Sequence, residues 1–145
     1  MGIIQSNIMK LAKLFVITLL VSASLSARAQ YHKLLNLTER QIKDKITEFP
    51  IVNRDSSEHE FIPYLTFKNK DNETQLVVYF FGNKCYQVKH FTPSTSFNSI
   101  MDSADKMFNR IGKGRWRSKE NTFEVSIIDI PEKVVTIYSR GISTY

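Results

Sequence analysis

Cys85 and His90 are the one thiol and imidazole that lie close together in this 145-residue chain. A nucleophile and its base must sit within hydrogen-bond reach to do covalent chemistry. Five residues apart on one extended strand, these side chains point to opposite faces. They cannot serve each other unless a bulge intervenes. Cys85 is the only cysteine, so no intramolecular disulfide forms, and it reads as a small apolar side chain in a strand. Metal chemistry finds no better footing. His32, His59 and His90 have no regular spacing, and Glu58-His59-Glu60 lacks the second histidine of a helical zinc site. The five glycines form no phosphate-cradling loop, and there is no Gly-x-Ser-x-Gly elbow. The expectation is no catalytic residue, no metal and no cofactor.

Two stretches could bind rather than react. In the first, Lys106, Arg110, Lys113, Arg115, Arg117 and Lys119 surround Trp116. Cations flanking an aromatic ring can grip an anion and stack on a base or sugar. The same pattern also describes a helix C-terminus, whose dipole favours cations, followed by an edge strand that buries Trp116 and turns its arginines outward. The second stretch is Leu76-Val77-Val78-Tyr79-Phe80-Phe81. A strand covered on one face alternates apolar with polar residues, and this one does not. With Gly82-Asn83 as a two-residue hairpin turn, Tyr79 faces Tyr86 and Val77 faces Val88, and these four are assigned to the core. Leu76, Val78 and Phe80 then project from the other side, either beneath a loop such as residues 50–62 or as an exposed patch that binds a partner.

The elements that carry these residues follow from periodicity. Thr38 and Gln41 make a capping box flanked by Leu37 and Ile42. Ile42, Ile46 and Phe49 continue at helical spacing to Pro50, giving a helix of about three turns. Residues 51–62 read as irregular. Strands are expected over Pro63–Lys68, Thr74–Phe81 and Lys84–Phe91. A second helix is expected from Thr95 to Ile111, closed by Gly112. Three further strands follow at Arg115–Ser118, Thr122–Asp129 and Lys133–Arg140, with Val135 and Ile137 able to meet Phe123, Val125 and Ile127 if the loop between the last two strands holds an odd number of residues. The fold class is α+β, in the order helix, three strands, helix, three strands: an antiparallel sheet with two helices packed on one face.

Residues 9–29 set the compartment. Lys10 and Lys13 precede an eight-residue run, Leu14 to Val21, that only Thr18 interrupts. Ala27-Arg28-Ala29 then presents small residues at the positions a signal peptidase reads. The run is shorter than the roughly 20 apolar residues a bilayer span needs. Residues 1–29 are therefore expected to be a cleaved signal peptide, whether translation starts at Met1 or Met9, and 30–145 a single domain. No cysteine follows the cleavage motif, so a soluble periplasmic or extracellular product is expected rather than a lipoprotein. The leader holds three basic residues and no acidic one, which leaves 17 Lys and Arg against 14 Asp and Glu, a net +3, instead of the +6 of the whole chain. Such a modest charge does not call for nucleic acid.

The doubled order of helix and antiparallel strands resembles the layout of the beta-lactamase inhibitory protein and similar small exported envelope proteins. The likeness covers most of residues 35–140 and rests on no signature residue. It implies an open sheet face or loops that can meet a partner protein. The leading expectation is an exported, non-catalytic, inhibitor-like binding domain acting on a protein or envelope component through Leu76, Val78, Phe80 and Trp116. The alternative is an anion-binding segment at Lys113, Arg115, Arg117 and Lys119, which together with Trp116 takes a glycan, a lipid headgroup or another polyanion. An enzyme of unfamiliar design is the third reading.

Overall fold

The computed structural model describes residues 4–10, 12–13, 31–47, 51–56 and 62–141. The chain divides into two compact units, Met1–Gln30 and Tyr31–Tyr145. The second unit is α+β and mostly sheet.

Among the described residues, eight strands form one antiparallel sheet. In chain order they are β1 (Ile51–Ser56), β2 (Pro63–Lys68), β3 (Thr74–Phe81), β4 (Lys84–Pro93), β5 (Asn109–Gly112), β6 (Arg115–Arg117), β7 (Phe123–Ile130) and β8 (Lys133–Arg140). The strands lie in the order β1-β2-β3-β4-β8-β7-β6-β5. That order reads the same from either margin once each half is numbered from one to four. Each half is a short 3-10 turn, an α-helix and a four-strand meander. The first half opens with Tyr31–Leu34 and α1 (Glu39–Lys45), the second with Ser94–Ser96 and α2 (Phe97–Met107). The last strands of the two meanders, β4 and β8, join at the centre from Gln87↔Ser139 to Pro93↔Lys133.

The expected order of three strands per half is thus corrected to four. Ile51–Ser56, read as irregular, is extended and pairs with β2. The second helix stops at Met107 instead of running to Ile111, because Phe108 is extended at φ −130°, ψ 162°. The chain then forms β5 against β6, where pairing with the sheet margin replaces the last helical turn. Gly112 accordingly ends a strand and caps no helix. The capping box forms as read, with the Gln41 amide donating to Thr38 Oγ1 at 3.3 Å and the Thr38 amide to Gln41 Oε1 at 2.9 Å. Its helix spans two turns, and Ile46 caps it in extended conformation. Phe49 and Pro50 lie outside the described residues.

The core gathers against one side of the sheet. Across neighbouring strands, Leu65, Val78, Val88, Tyr138, Val125 and Trp116 fall in one register row, and all are buried. Ile42 and Ile46 of α1 and Ala104 of α2 belong to the same cluster. A second row runs through Phe67, Leu76, His90, Thr136 and Ile127. Tyr31 packs its ring on His90 at 4.6 Å between centroids, and His32 stacks on Phe123 at 5.1 Å. The entry segment is fixed by backbone pairing beyond the end of β8: Asn36 donates to the Cys85 carbonyl and Cys85 to that of Leu37, both at 2.8 Å.

One register differs from expectation, and the odd-loop condition set for a second is not met. Gly82 and Asn83, at φ 58° and 61°, make the hairpin turn, and Phe81↔Lys84 and Phe80↔Cys85 follow from it. A bulge at Tyr86 then moves Tyr79 opposite Gln87 and Val77 opposite Lys89. In the β7–β8 hairpin the connection is the two residues Pro131 and Glu132. Val125 and Ile127 therefore meet Tyr138 and Thr136, while Val135 and Ile137 face away from the core row.

Candidate binding face

Leu76, Val78 and Phe80 are 0, 0 and 4% exposed and point into the core. The assignment of the two sides of β3 is inverted. Val77 and Tyr79, placed in the core by the sequence reading, stand on the opposite side. The reason is chemical: the Leu76-Val78-Phe80 side has no polar atom, while Tyr79 carries a hydroxyl that wants water or a partner. None of the three can touch a partner without unfolding the sheet from its helices.

Trp116 is likewise fully buried. Its indole N–H donates to Asp105 Oδ1 on α2 at 2.9 Å, and the Arg110 guanidinium lies over its ring at 5.2 Å from the centroid. Arg110 also forks onto both Asp105 oxygens at 2.9 Å. The hydrogen bonds from Arg110 and Trp116 hold the Asp105 carboxyl below its ordinary pKa. Trp116 is a core residue that ties helix to sheet, and its ring is closed to a base or sugar.

The candidate anion-binding cations are separated by the same geometry. Arg115 and Arg117 donate to opposite oxygens of Glu124 at 3.1 Å each. Burial would raise the Glu124 pKa, but the hydrogen bonds and charges of Arg117 and Arg115 outweigh it, and the carboxyl sits below its ordinary value. Both guanidinium groups are therefore already engaged by an internal carboxylate. Lys113 and Lys119 are exposed and flank the pair in the sequence.

Cys85 and His90 come out on the same face after all, because the bulge at Tyr86 supplies the half-step that alternation alone lacks. They are still separated by five residues along β4, about 16 Å at strand spacing. Cys85 is buried, and burial pushes its thiol up to about 12. A thiol so protonated is no nucleophile at neutral pH. Glu58, His59 and Glu60 lie outside the described residues. Among the described residues no three His, Cys, Asp or Glu side chains gather as metal ligands would.

What the outer face of the sheet does present is aromatic. Tyr64 and Tyr79 oppose each other on β2 and β3 with ring centroids 5.8 Å apart, and Tyr86 follows at 6.3 Å from Tyr79. Phe81 meets Tyr86 edge-on at 6.4 Å and is 69% exposed. Lys89 holds its ammonium 5.1 Å from the Tyr79 ring centre. The bulge creates this cluster, since it sets both Tyr86 and Gln87 opposite Tyr79 on one side of the sheet. Gln87 then donates to Ser139 Oγ on β8 at 3.0 Å, carrying a polar row towards Glu124. Sequence reasoning missed these residues. A tyrosine hydroxyl alone does not mark the wet side, since Tyr138 carries one in the core row.

Compared with protein-family models, with curated proteins and with solved structures, the chain matches none. Its class is defined by the fold alone: an α+β protein whose antiparallel sheet is lined by core on one side and by tyrosines on the other. No described helix is long and apolar enough to cross a membrane.

Proposed function

We propose that the chain is exported, is cleaved after Ala29, and acts through residues 30–145 as a non-catalytic domain that binds a protein or envelope component on the outer face of its sheet. The observation that carries this reading is the Tyr64-Tyr79-Tyr86-Phe81 cluster. Tyrosine offers a large, stiff, amphipathic contact surface, and aromatic residues are enriched where proteins meet partners. The Gln87 amide and the hydroxyls of Ser139 and Thr66 supply adaptable hydrogen bonds beside it. The unit boundary at Gln30/Tyr31, one residue past the expected cleavage site, is in keeping with a removable leader. The doubled arrangement of helix and meander is also in keeping with an inhibitor-like protein of the kind the element order resembles.

Two measurements test it. Mass spectrometry of native material is expected to find Gln30 at the N-terminus. A photoreactive phenylalanine at Phe81 or Tyr86 is expected to crosslink an envelope component in living cells, whereas the same group at Asp102 on α2 does not. An intact leader on the mature protein removes the export half of the reading. Equal crosslinking from Asp102 removes the binding face.

A further inference from the structure

The outer face carries the same device twice, once in each half of the fold. At the β3–β4 hairpin the terminal cross-strand pair is Phe81↔Lys84, and at the β7–β8 hairpin it is Ile130↔Lys133. In both cases two turn residues separate an exposed apolar side chain from a lysine on the same side of the sheet. Phe81 is 69% and Ile130 38% exposed, with Ile128 beside the latter at 46%. Because β4 and β8 run antiparallel at the centre of the sheet, the two pairs stand at opposite ends of one face. Between them lies Lys89 on Tyr79, and Lys68 joins the same side by alternation from the buried Phe67.

We infer that this face docks on the surface of an anionic phospholipid bilayer, a conclusion that rests on the binding-face reading above and names the component bound. The strands place two carboxylates at register positions of this face, Asp55 opposite Tyr64 and Glu124 bridged by Arg115 and Arg117, with Glu132 in the β7–β8 turn. Against them stand six cations, Lys68, Lys84, Lys89, Lys133, Arg115 and Arg117. The balance is positive, and four of the six cations are lysine. Lysine is depleted at protein–protein interfaces, but it suits a lipid headgroup layer, where its stem follows apolar surface and its ammonium reaches the phosphates. Tyrosine rings settle at that same level. Arg115 and Arg117, the groups best shaped to fork onto nucleic-acid phosphates, each already turn one donor to Glu124. A second copy of the chain would bring like charge to the contact. Exposed apolar side chains beside cations at both ends give two points of anchorage on the membrane surface.

The test is co-sedimentation of the native protein, in the N-terminal form its cells leave, with vesicles of equal parts phosphatidylglycerol and phosphatidylcholine and with vesicles of phosphatidylcholine alone. Binding to the anionic vesicles only is expected, and it weakens as salt rises through the range where surface charge is screened. Lys84→Ala and Lys133→Ala are each expected to lower partitioning about fivefold, with Phe81→Ser lowering it further. Trp116 fluorescence checks that each variant is folded. No binding to anionic vesicles, equal binding to neutral ones, or unchanged partitioning of the lysine variants overturns the inference. If vesicles fail while Phe81 crosslinks a single protein, the binding face stands and the membrane does not. If both fail, both readings fall.

Discussion

Replacing Trp116 with alanine is expected to cost about 4 kcal/mol of folding stability. A buried tryptophan removes about 150–250 Å² from water, which at about 25 cal/mol per Å² is roughly 4–6 kcal/mol. That is an upper bound, because the unfolded chain already hides part of the same surface. Truncations of buried tryptophan to alanine fall at about 3–5 kcal/mol, and here the change also removes the indole N–H bond to Asp105 and the ring beneath Arg110. For a domain of this size the loss corresponds to a fall of about 15 °C in Tm. Trp116→Phe keeps most of the ring and loses the donor, so about 1–2 kcal/mol is expected. Urea unfolding followed by circular dichroism reads both variants. Trp116 is the only tryptophan, so the native protein should also show blue-shifted emission that acrylamide barely quenches. A loss under about 1 kcal/mol at unchanged m value, or ready quenching in the folded state, would refute the assignment of Trp116 to the core.

Three more outcomes follow from the same geometry. Gly114→Ala should destabilise by about 1–3 kcal/mol, since Gly114 has φ +65° and an added Cβ would meet the Ile127 carbonyl oxygen at 3.0 Å. Gly82→Ala, at φ +58° with open space around it, should cost less in the same urea titration. For Glu124, whose folded pKa lies below the ordinary 4.5, the stabilisation is fully present above pH 4.5 and is lost as pH falls through the folded value. The stability gap between wild type and Glu124→Gln should therefore be constant near neutrality and shrink in acid. At the alkaline end the signs reverse: Cys85 and Tyr138 are raised from 9.0 and 10.0 to about 12 each, so their contribution is complete below pH 9 and fades as pH climbs towards 12. Cys85→Ala should flatten part of that limb, and iodoacetamide should label Cys85 only at the rate of unfolding.

Local signals in the sequence were read correctly wherever one residue type dictates one geometry. The Thr38-Gln41 box, the Gly82-Asn83 turn and the bounds of Pro63–Lys68, Thr74–Phe81 and Lys133–Arg140 all depend on near neighbours. What escaped depends on partners far along the chain. Asn109–Gly112 has the composition of a helix end and becomes a strand because β6 offers it a margin. Ile51–Ser56 sits among polar turn formers and becomes a strand because β2 does the same. The side of β3 that meets the core could not be chosen by hydrophobicity, since both sides are apolar, and the bulge at Tyr86 left no mark in the hairpin's length. With the side inverted, the candidate contacts Leu76, Val78, Phe80 and Trp116 became core, and the tyrosines across the strand became the surface.

The β4–β8 seam divides the domain at the Pro93–Ser94 peptide bond into two pieces of like design. Seven cross-strand residue pairs join them, and only the chain's single passage from Pro93 to Ser94 connects them covalently. A break engineered there would turn an intramolecular seam into a bimolecular one. Fragments 1–93 and 94–145 would then be natural halves for a split-protein complementation reporter, with recombination limited by how readily β4 finds β8.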